Sequence, residues 1–169
     1  MGRLSVPGFK QAEKIPVVIV LDNIRSLNNV GSVFRTSDAF RIQEILLCGF
    51  TGTPPHREIR KTALGATDSV DWKYFETTLD AVSYLKKEGF KVVAVEQVDK
   101  SISLQEFNPG KVRSYAFIFG NEINGVSANV LNEVDMCLEI PQFGTKHSFN
   151  VSISAGMILW HYFYITHQA

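Results

Sequence analysis

The chain is informative first through what it lacks. No stretch approaches the ~18 consecutive apolar residues of a membrane span. The opening segment, MGRLSVPGFKQAEKIP, has no apolar run of the kind a secretory signal carries. Cysteine is scarce: only Cys48 and Cys137 occur, without CxxC spacing and without a neighbouring histidine pair. A zinc site is therefore not expected, and both are read as buried thiols of a reducing cytoplasm. Net charge is also missing, since 17 Lys and Arg balance 17 Asp and Glu. That excludes an acidic disordered chain and a protein held to nucleic acid by net charge alone. GxGxxG and GxxxxGK[ST] are both absent, so no dinucleotide fingerprint or P-loop is present. No GxSxG nucleophile elbow appears either. His56, His147, His161 and His167 show no metal-ligand spacing.

What is present fits one domain. A chain of 169 residues with 45% apolar content buries roughly 68–70% of the surface its unfolded form exposes. No repeat, low-complexity segment or linker divides it. Residues 1–16 are expected to form an N-terminal arm and residues 17–169 a single domain. Charge is unevenly placed: residues 1–63 carry nine Lys/Arg and five Asp/Glu, and residues 64–169 carry eight and twelve. A basic face on the first part is thereby open, although sequence halves need not map onto surfaces.

Short β-rich apolar runs alternate with helical stretches. Val17–Leu21, Ile45–Leu47, Val92–Val95, Tyr115–Phe119 and Met136–Ile140 are mostly apolar throughout rather than alternating. Such runs predict strands buried on both faces, hence an α/β fold with a mainly parallel sheet flanked by helices. Asp71–Glu76 is a candidate edge strand. Helices are expected over Gly31–Phe40, over His56–Leu64, and from a capping Thr78 to about Lys87 with Gly89 as its stop. The last helix, about Val151 to His167, has one stripe of Ile153, Met157, Trp160 and Tyr164, yet Ile158, Phe163 and Ile165 lie off it. A helix apolar nearly all round needs cover on two sides. The sheet supplies one; a second copy of the chain is expected to supply the other, giving a homodimer.

Polar residues gather where predicted strands end, the edge at which open α/β sheets bind ligands. After Leu21 come Asn29, Gly31 and Arg35. Asn29 and Gly31 are placed at a helix start, whose free N–H groups attract anions, and Arg35 one turn later is expected to converge with Asn29 on one phosphate or ribose. An N-capping asparagine beside a surface arginine is the plainer alternative. After Phe119 comes Gly120-Asn121-Glu122-Ile123-Asn124-Gly125, either a plain turn or one that lets a ligand approach the backbone. After Ile140 comes Pro141 to Ser152, a polar loop entering the most apolar helix. Ser148 and Asn150 alternate with Phe149 and Val151, so the polar pair shares one side. His147 sits here as a possible ligand contact; an elaborate helix cap explains the same residues.

Together these clusters resemble the three motifs of the SpoU/TrmH-type RNA 2′-O-ribose methyltransferases, members of the SPOUT class. The first is matched by Asn29-Val30-Gly31 with Arg35-Thr36. The second is matched by Ile118 to Glu122 with Gly125-Val126-Ser127. The third is matched by Ile140-Pro141, Gly144 and Ser148-Phe149-Asn150-Val151-Ser152. The likeness runs from about Val17 to the C-terminus. It implies a C-terminal deep trefoil knot, in which the segment after Val92 threads through a loop of its own chain; composition alone would never suggest one. It implies S-adenosylmethionine bound by the knotted loops, at Val95, Glu96, Gly120, Asn121, Ile140, Gln142 and Phe149. It also implies methyl transfer to a ribose 2′-hydroxyl of RNA; tRNA, which presents a compact tertiary shape to a minimal domain, is the expected substrate, with rRNA the alternative.

In that reaction the family gives the arginine at Arg35 the task of activating the hydroxyl. A guanidinium stays protonated and is a poor base. Its expected work is to hold the adjacent phosphate and stabilise the incipient alkoxide. Asn29 would orient Arg35 or the ribose, Glu122 would fix the turn of the second motif, and Ser148 and Asn150 would position cofactor or substrate. Arg25, Arg41, Arg57, Arg60 and Lys61 are expected to form a basic strip for RNA near the first motif. Two departures stand out. Phe149 replaces the leucine usual in the third motif, and residues 1–16 are too short for the N-terminal RNA-binding domain of many relatives. A catalytically silent RNA-binding relative is the alternative reading, with a small-molecule or protein-modifying enzyme on the same scaffold behind it.

Overall fold

The computed structural model describes residues 2, 4–112, 114–145 and 148–167; His147 lies outside them. The first half runs α1 (Val6–Gln11), β1 (Ile15–Asp22), α2 (Leu27–Phe40), β2 (Ile42–Cys48), α3 (Arg57–Ala63), α4 (Ala66–Ser69) and β3 (Asp71–Phe75). The second runs α5 (Thr78–Lys87), β4 (Lys91–Val95), β5 (Ile102–Ser103), β6 (Tyr115–Phe119), α6 (Ala128–Leu131), β7 (Met136–Glu139) and α7 (Val151–Thr166).

The strands form one seven-stranded sheet in the order β3-β2-β1-β6-β4-β7-β5. Every ladder between named strands is parallel. The order reverses beside β1: β2 and β3 extend to one side, and the later strands fill the other. There β6 lies between β1 and β4, and β7 between β4 and β5.

Side-chain alternation along the strands makes two cores. Val17, Ile19 and Leu21 of β1 join Phe117 and Phe119 of β6 on the face covered by α2 and α7. Val18 and Val20 join Ala116 and Ile118 on the face covered by α5 and α6. Burial on both faces is the reason these strands read as continuous apolar runs.

Local signals set the helix ends, with two corrections. Thr77, not Thr78, caps α5: its hydroxyl accepts from the Asp80 N–H at 3.2 Å. Thr78 is instead buried, and its hydroxyl donates to Asp22 Oδ1 at 2.5 Å. Gly89 ends the helix at φ 82, with Phe90 N–H returning to the Leu85 carbonyl. The second correction is that α2 begins at Leu27, a turn before Gly31, with Ser26 as its cap. Residues 1–16 include the short helix α1, which buries Phe9, and β1 already starts at Ile15.

On α7, Ala155, Ile158, Leu159 and Tyr162 face the protein, and Tyr162 packs edge-on to Tyr115 and Phe117. The stripe of Ile153, Trp160 and Tyr164 is the outward one, at 52%, 58% and 51% exposure. His161 packs inward, within 3.1 Å of the Phe107 carbonyl, and His167 stacks on Phe163. Both cysteines are free, Cys48 buried and Cys137 half-buried. Among the described residues, no helix is long and apolar enough to cross a membrane.

Candidate functional site

The turn after β6 is built by its glycines and one asparagine. A Cβ on Gly120 would collide with the backbone of Gly125 and Val126. Gly125 sits at φ 66, where a side chain is disfavoured. Asn121 and Gly125 exchange backbone hydrogen bonds at 3.1 and 2.8 Å. The Asn121 side chain accepts from the Ile123 and Asn124 N–H groups and donates to the Asn23 carbonyl at 2.7 Å. From the other side, Glu96 Oε2 accepts the Val126 N–H at 3.0 Å. The turn is thus fixed from β1 and β4 together, and it presents Glu122.

Glu122 meets the start of α2. Its Oε2 accepts the Arg25 N–H at 3.1 Å, and its Oε1 accepts the Ser26 N–H at 3.2 Å and the Asn29 amide at 3.5 Å. Burial opposes ionisation of this carboxyl. Hydrogen bonds from its own N–H, those of Arg25 and Ser26, and the Asn29 side chain outweigh it, so its pKa falls below the ordinary glutamate value. This corrects the expectation of an anion site at Asn29 and Gly31. The Asn29 N–H already donates to Ser26 Oγ, and the Val30 N–H to the Ser26 carbonyl. The anion at this end of the helix is the protein's own Glu122. Gly31 serves packing: a Cβ there would strike Thr62 Oγ1 and the Ile59 carbonyl of α3.

Asn150 completes the arrangement. It caps α7, its Oδ1 accepting from the Ser152 N–H and hydroxyl at 2.9 and 2.7 Å. Its Nδ2 donates to Asn29 Oδ1 at 3.1 Å. A single hydrogen-bonded chain, Asn150 to Asn29 to Glu122, therefore ties the three sequence clusters together. The cap reading of Asn150 holds, and its amide is spent on Asn29 as well.

Beside this chain, beyond the carboxyl ends of β4, β6 and β7, lies a cavity of about 540 Å³. Val95 and Glu96 follow β4 into it, and Gly120, Asn121 and Glu122 follow β6. Ile140, Gln142, Ser148, Phe149 and Asn150 close it from the last loop. Every residue expected at the cofactor thus lines one space, Asn121 with its side chain already engaged in the turn. Phe149 faces the cavity alongside Ser148 and Asn150, not away from them.

Arg35 lies elsewhere. It lines a second cavity, of about 400 Å³, with Ser32, Thr36, Lys61, Thr62, Ser152 and Ile153. Arg35 is exposed and makes no hydrogen bond or ion pair among the described residues. Asn29 and Arg35 do not converge: six residues apart on one helix, they point about 120° from each other. The first turn of α7 joins the two spaces, with Val151 and Ser154 lining the first and Ser152 and Ile153 the second.

The expected basic strip is divided. Arg57, Arg60 and Lys61 lie exposed on α3, which packs on α2. Arg25 is exposed at the entry to α2, its guanidinium 6.0 Å from the centre of the Phe50 ring. Arg41 is at the opposite end of α2, where its carbonyl accepts from Ile15 at the amino edge of the sheet. It does not belong with the others. His56 caps α3, its Nδ1 accepting the Glu58 N–H at 3.2 Å.

Two supporting residues escaped sequence reasoning. Buried Asp22 accepts from Thr78 and from the Asn23 amide, and Asn23, at φ 56, holds the Phe50 N–H at 3.1 Å. The signal was an asparagine directly after a buried strand, a residue type that tolerates left-handed backbone.

A parallel α/β sheet whose carboxyl edge carries a joined polar chain and a ligand-sized cavity defines the class. Comparison with known proteins gives the family. The profile of the SpoU rRNA Methylase family matches residues 16–160, and the chain belongs to that family. The 23S rRNA (guanosine-2′-O-)-methyltransferase RlmB of Neisseria meningitidis is 28% identical over 144 residues, 85% of this chain and 56% of that protein. The tRNA (guanosine(18)-2′-O)-methyltransferase of Escherichia coli is 26% identical over 147 residues, 85% of this chain and 61% of that protein. This chain thus spans 56–61% of the length of these curated relatives. The AdoMet-bound rRNA methyltransferase of Sinorhizobium meliloti superposes with a TM-score of 0.83 at 25% identity, over 93% of this chain and 58% of that one.

Proposed function

We propose that this chain is an S-adenosylmethionine-dependent RNA methyltransferase that modifies a ribose 2′-hydroxyl, in tRNA by preference and otherwise in rRNA. The observation that carries the reading is the Asn150–Asn29–Glu122 chain, which ties the three motifs together at the edge of one cavity, with Arg35, unpaired among the described residues, in the adjoining one. A silent relative would be expected to lose some of Asn29, Arg35, Glu122, Ser148 and Asn150, and all five are present.

The cavity suits the donor. Its volume of about 540 Å³ lies within the roughly 300–1,000 Å³ of small-molecule sites. Val95, Leu138, Ile140 and Phe149 supply apolar wall, and Gly120 lets the turn fold tightly against Gly125 and Val126 at its edge. Glu96 and Glu139 put carboxylates on a space meant for a cationic sulfonium. When bound there, S-adenosylmethionine supplies an electrophilic methyl group. Its lack of phosphate agrees with the missing glycine-rich fingerprint.

The chain's own residues do the rest. Asn29 is held at both ends of its amide, so it locks the Glu122 turn to the cap of α7 and keeps the two cavities in register. Arg35 stays cationic, binds the phosphate next to the target nucleotide with Lys61, and stabilises the negative charge growing on the 2′-oxygen. A preorganised donor of this kind is typically worth ~3–4 kcal/mol. The proton leaves to phosphate or water. Ser148 and Ser152 offer hydroxyls to the two cavities.

The reading includes a homodimer. The outward stripe of α7 continues into Phe40 and Phe163, whose rings lie 5.8–6.5 Å from each other and from Trp160, an apolar patch that a second copy would cover. It also includes the family's trefoil knot, supported by the placing of β6 and β7 between earlier strands. Two free thiols agree with a cytoplasmic site of action. The test is radiolabelled methyl transfer to total RNA, followed by mapping. Transfer to a defined ribose, abolished by a 2′-deoxy nucleotide at that position, is expected. Transfer that survives the 2′-deoxy change would point to base methylation and overturn the reading.

A further inference from the structure

Phe50 is an exposed aromatic on a backbone that has no freedom. Its ring is 58% exposed. Its N–H donates to Asn23 Oδ1 at 3.1 Å. The next residue, Thr51, is 3% exposed, accepts the Ile24 N–H at 2.9 Å and donates to the Leu21 carbonyl at 3.0 Å. On the other side, the Gly49 N–H reaches the Phe75 carbonyl at 3.1 Å, and the Gly49 carbonyl accepts the Tyr74 hydroxyl at 3.0 Å. The folded chain thus presents a large apolar ring to water while fixing the backbone on both sides of it. Packing gains nothing from that; a ligand that stacks on the ring gains a surface already ordered.

Arg25 stands beside the ring, its guanidinium 6.0 Å from the ring centre, at the outer reach of a cation–π contact. The pair stands at the rim of the site. The Arg25 N–H donates to Glu122, and Asn23, which holds Phe50, also accepts from Asn121. A flat ring with an adjacent guanidinium matches an unpaired nucleotide: the base face stacks on the ring and the cation meets the phosphate.

We propose that Phe50 and Arg25 form a stacking platform for one unpaired RNA base neighbouring the nucleotide that is methylated. This rests on the RNA methyltransferase reading and adds the handling of a second nucleotide. Phe50 is then a determinant of RNA binding, with no part in the chemistry.

The test compares wild type, Phe50→Ala and Phe50→Trp. The RNA is the wild type's mapped substrate with 2-aminopurine placed in turn at the nucleotides on either side of the target. Dissociation constants for RNA and for S-adenosylmethionine, and KM and kcat for transfer, are measured separately. Phe50→Ala is expected to raise the RNA dissociation constant and KM about tenfold, as for loss of one stacked base. Donor affinity and kcat stay within twofold. Phe50→Trp restores binding and quenches 2-aminopurine at one neighbouring position only. Phe50→Ala with RNA affinity and KM unchanged, or quenching at no position, overturns the platform while leaving the methyltransferase reading intact. A fall in donor affinity and kcat equal to the loss of RNA affinity also overturns it, because the loop would then be structural. Wild type that transfers no methyl group to RNA overturns the parent reading, and the platform with it.

Discussion

Replacing Glu122 with alanine should cost little stability and much activity, and the small stability cost should depend on pH in a defined direction. The carboxylate accepts the Arg25 and Ser26 N–H groups at the start of α2 and the amide of Asn29. Replacing a helix-capping acceptor with alanine typically costs ~1 kcal/mol. Glu122 is solvent-exposed, so screening and rehydration of the freed N–H groups keep the loss at about 1 kcal/mol or below. For a domain of this size that is roughly 2–4 °C in Tm. The folded pKa is depressed below the ordinary 4.5. The ionic share of the stabilisation is therefore fully present above that value and is lost as pH falls through the lower folded pKa. Thermal melts of wild type, Glu122→Ala and Glu122→Gln at neutral pH and at steps below pH 4.5 read this directly. Wild type and Glu122→Gln should converge as the solution is acidified. Transfer should fall much further, on the order of tenfold to a hundredfold, because Asn29 loses one of its two anchors. A gap between wild type and Glu122→Gln that persists undiminished in acid would refute the charge argument. Full activity in Glu122→Ala would refute the positioning role.

Other consequences are as specific. Gly31→Ala forces a methyl group into the contact between α2 and α3; overpacking of this kind costs about 1–3 kcal/mol, read as a lower denaturant midpoint. Trp160→Lys should convert a dimer to monomer in sedimentation without changing the circular dichroism of the fold; an unaltered dimer would place the interface elsewhere. Burial and the nearby Asp22 push the Cys48 thiol up to about 12. A thiol reagent at pH 8 should leave Cys48 unmodified until the protein is unfolded. RNA affinity should fall steeply with salt, since Arg25, Arg57, Arg60 and Lys61 are exposed. Arg41→Ala, at the far edge of the sheet, should leave that affinity unchanged.

The fold was legible wherever the signal was periodic. Tyr115–Phe119 is a strand over the same residues in sequence and structure, because burial on both faces leaves no polar position to blur its ends. Ile102–Ser103 was invisible, since a two-residue strand has no period to read. The short helices α4 and α6 escaped for the same reason. The candidate site was legible as a set of residue types at strand ends, and its wiring was not. Nothing local to Asn29 says that its partners are Glu122 and Asn150, 93 and 121 residues away in sequence. The false convergence of Asn29 and Arg35 came from starting α2 at Gly31. With Leu27 as the first residue, the two fall on different faces, and Arg35 is released into its own cavity. Arg41 misled because nearness in sequence hides the length of α2, which runs from the carboxyl edge of the sheet near Arg25 to the amino edge where Arg41 ends it.

The central claim is that Arg35 acts on the reacting sugar while the neighbouring cavity holds the methyl donor. Calorimetry with S-adenosylmethionine and single-turnover methyl transfer on the same Arg35→Ala protein separate the two. The account predicts donor affinity within about twofold of wild type and transfer slowed on the order of 10²–10³-fold. Donor binding lost in parallel with transfer, or transfer left intact, would contradict it.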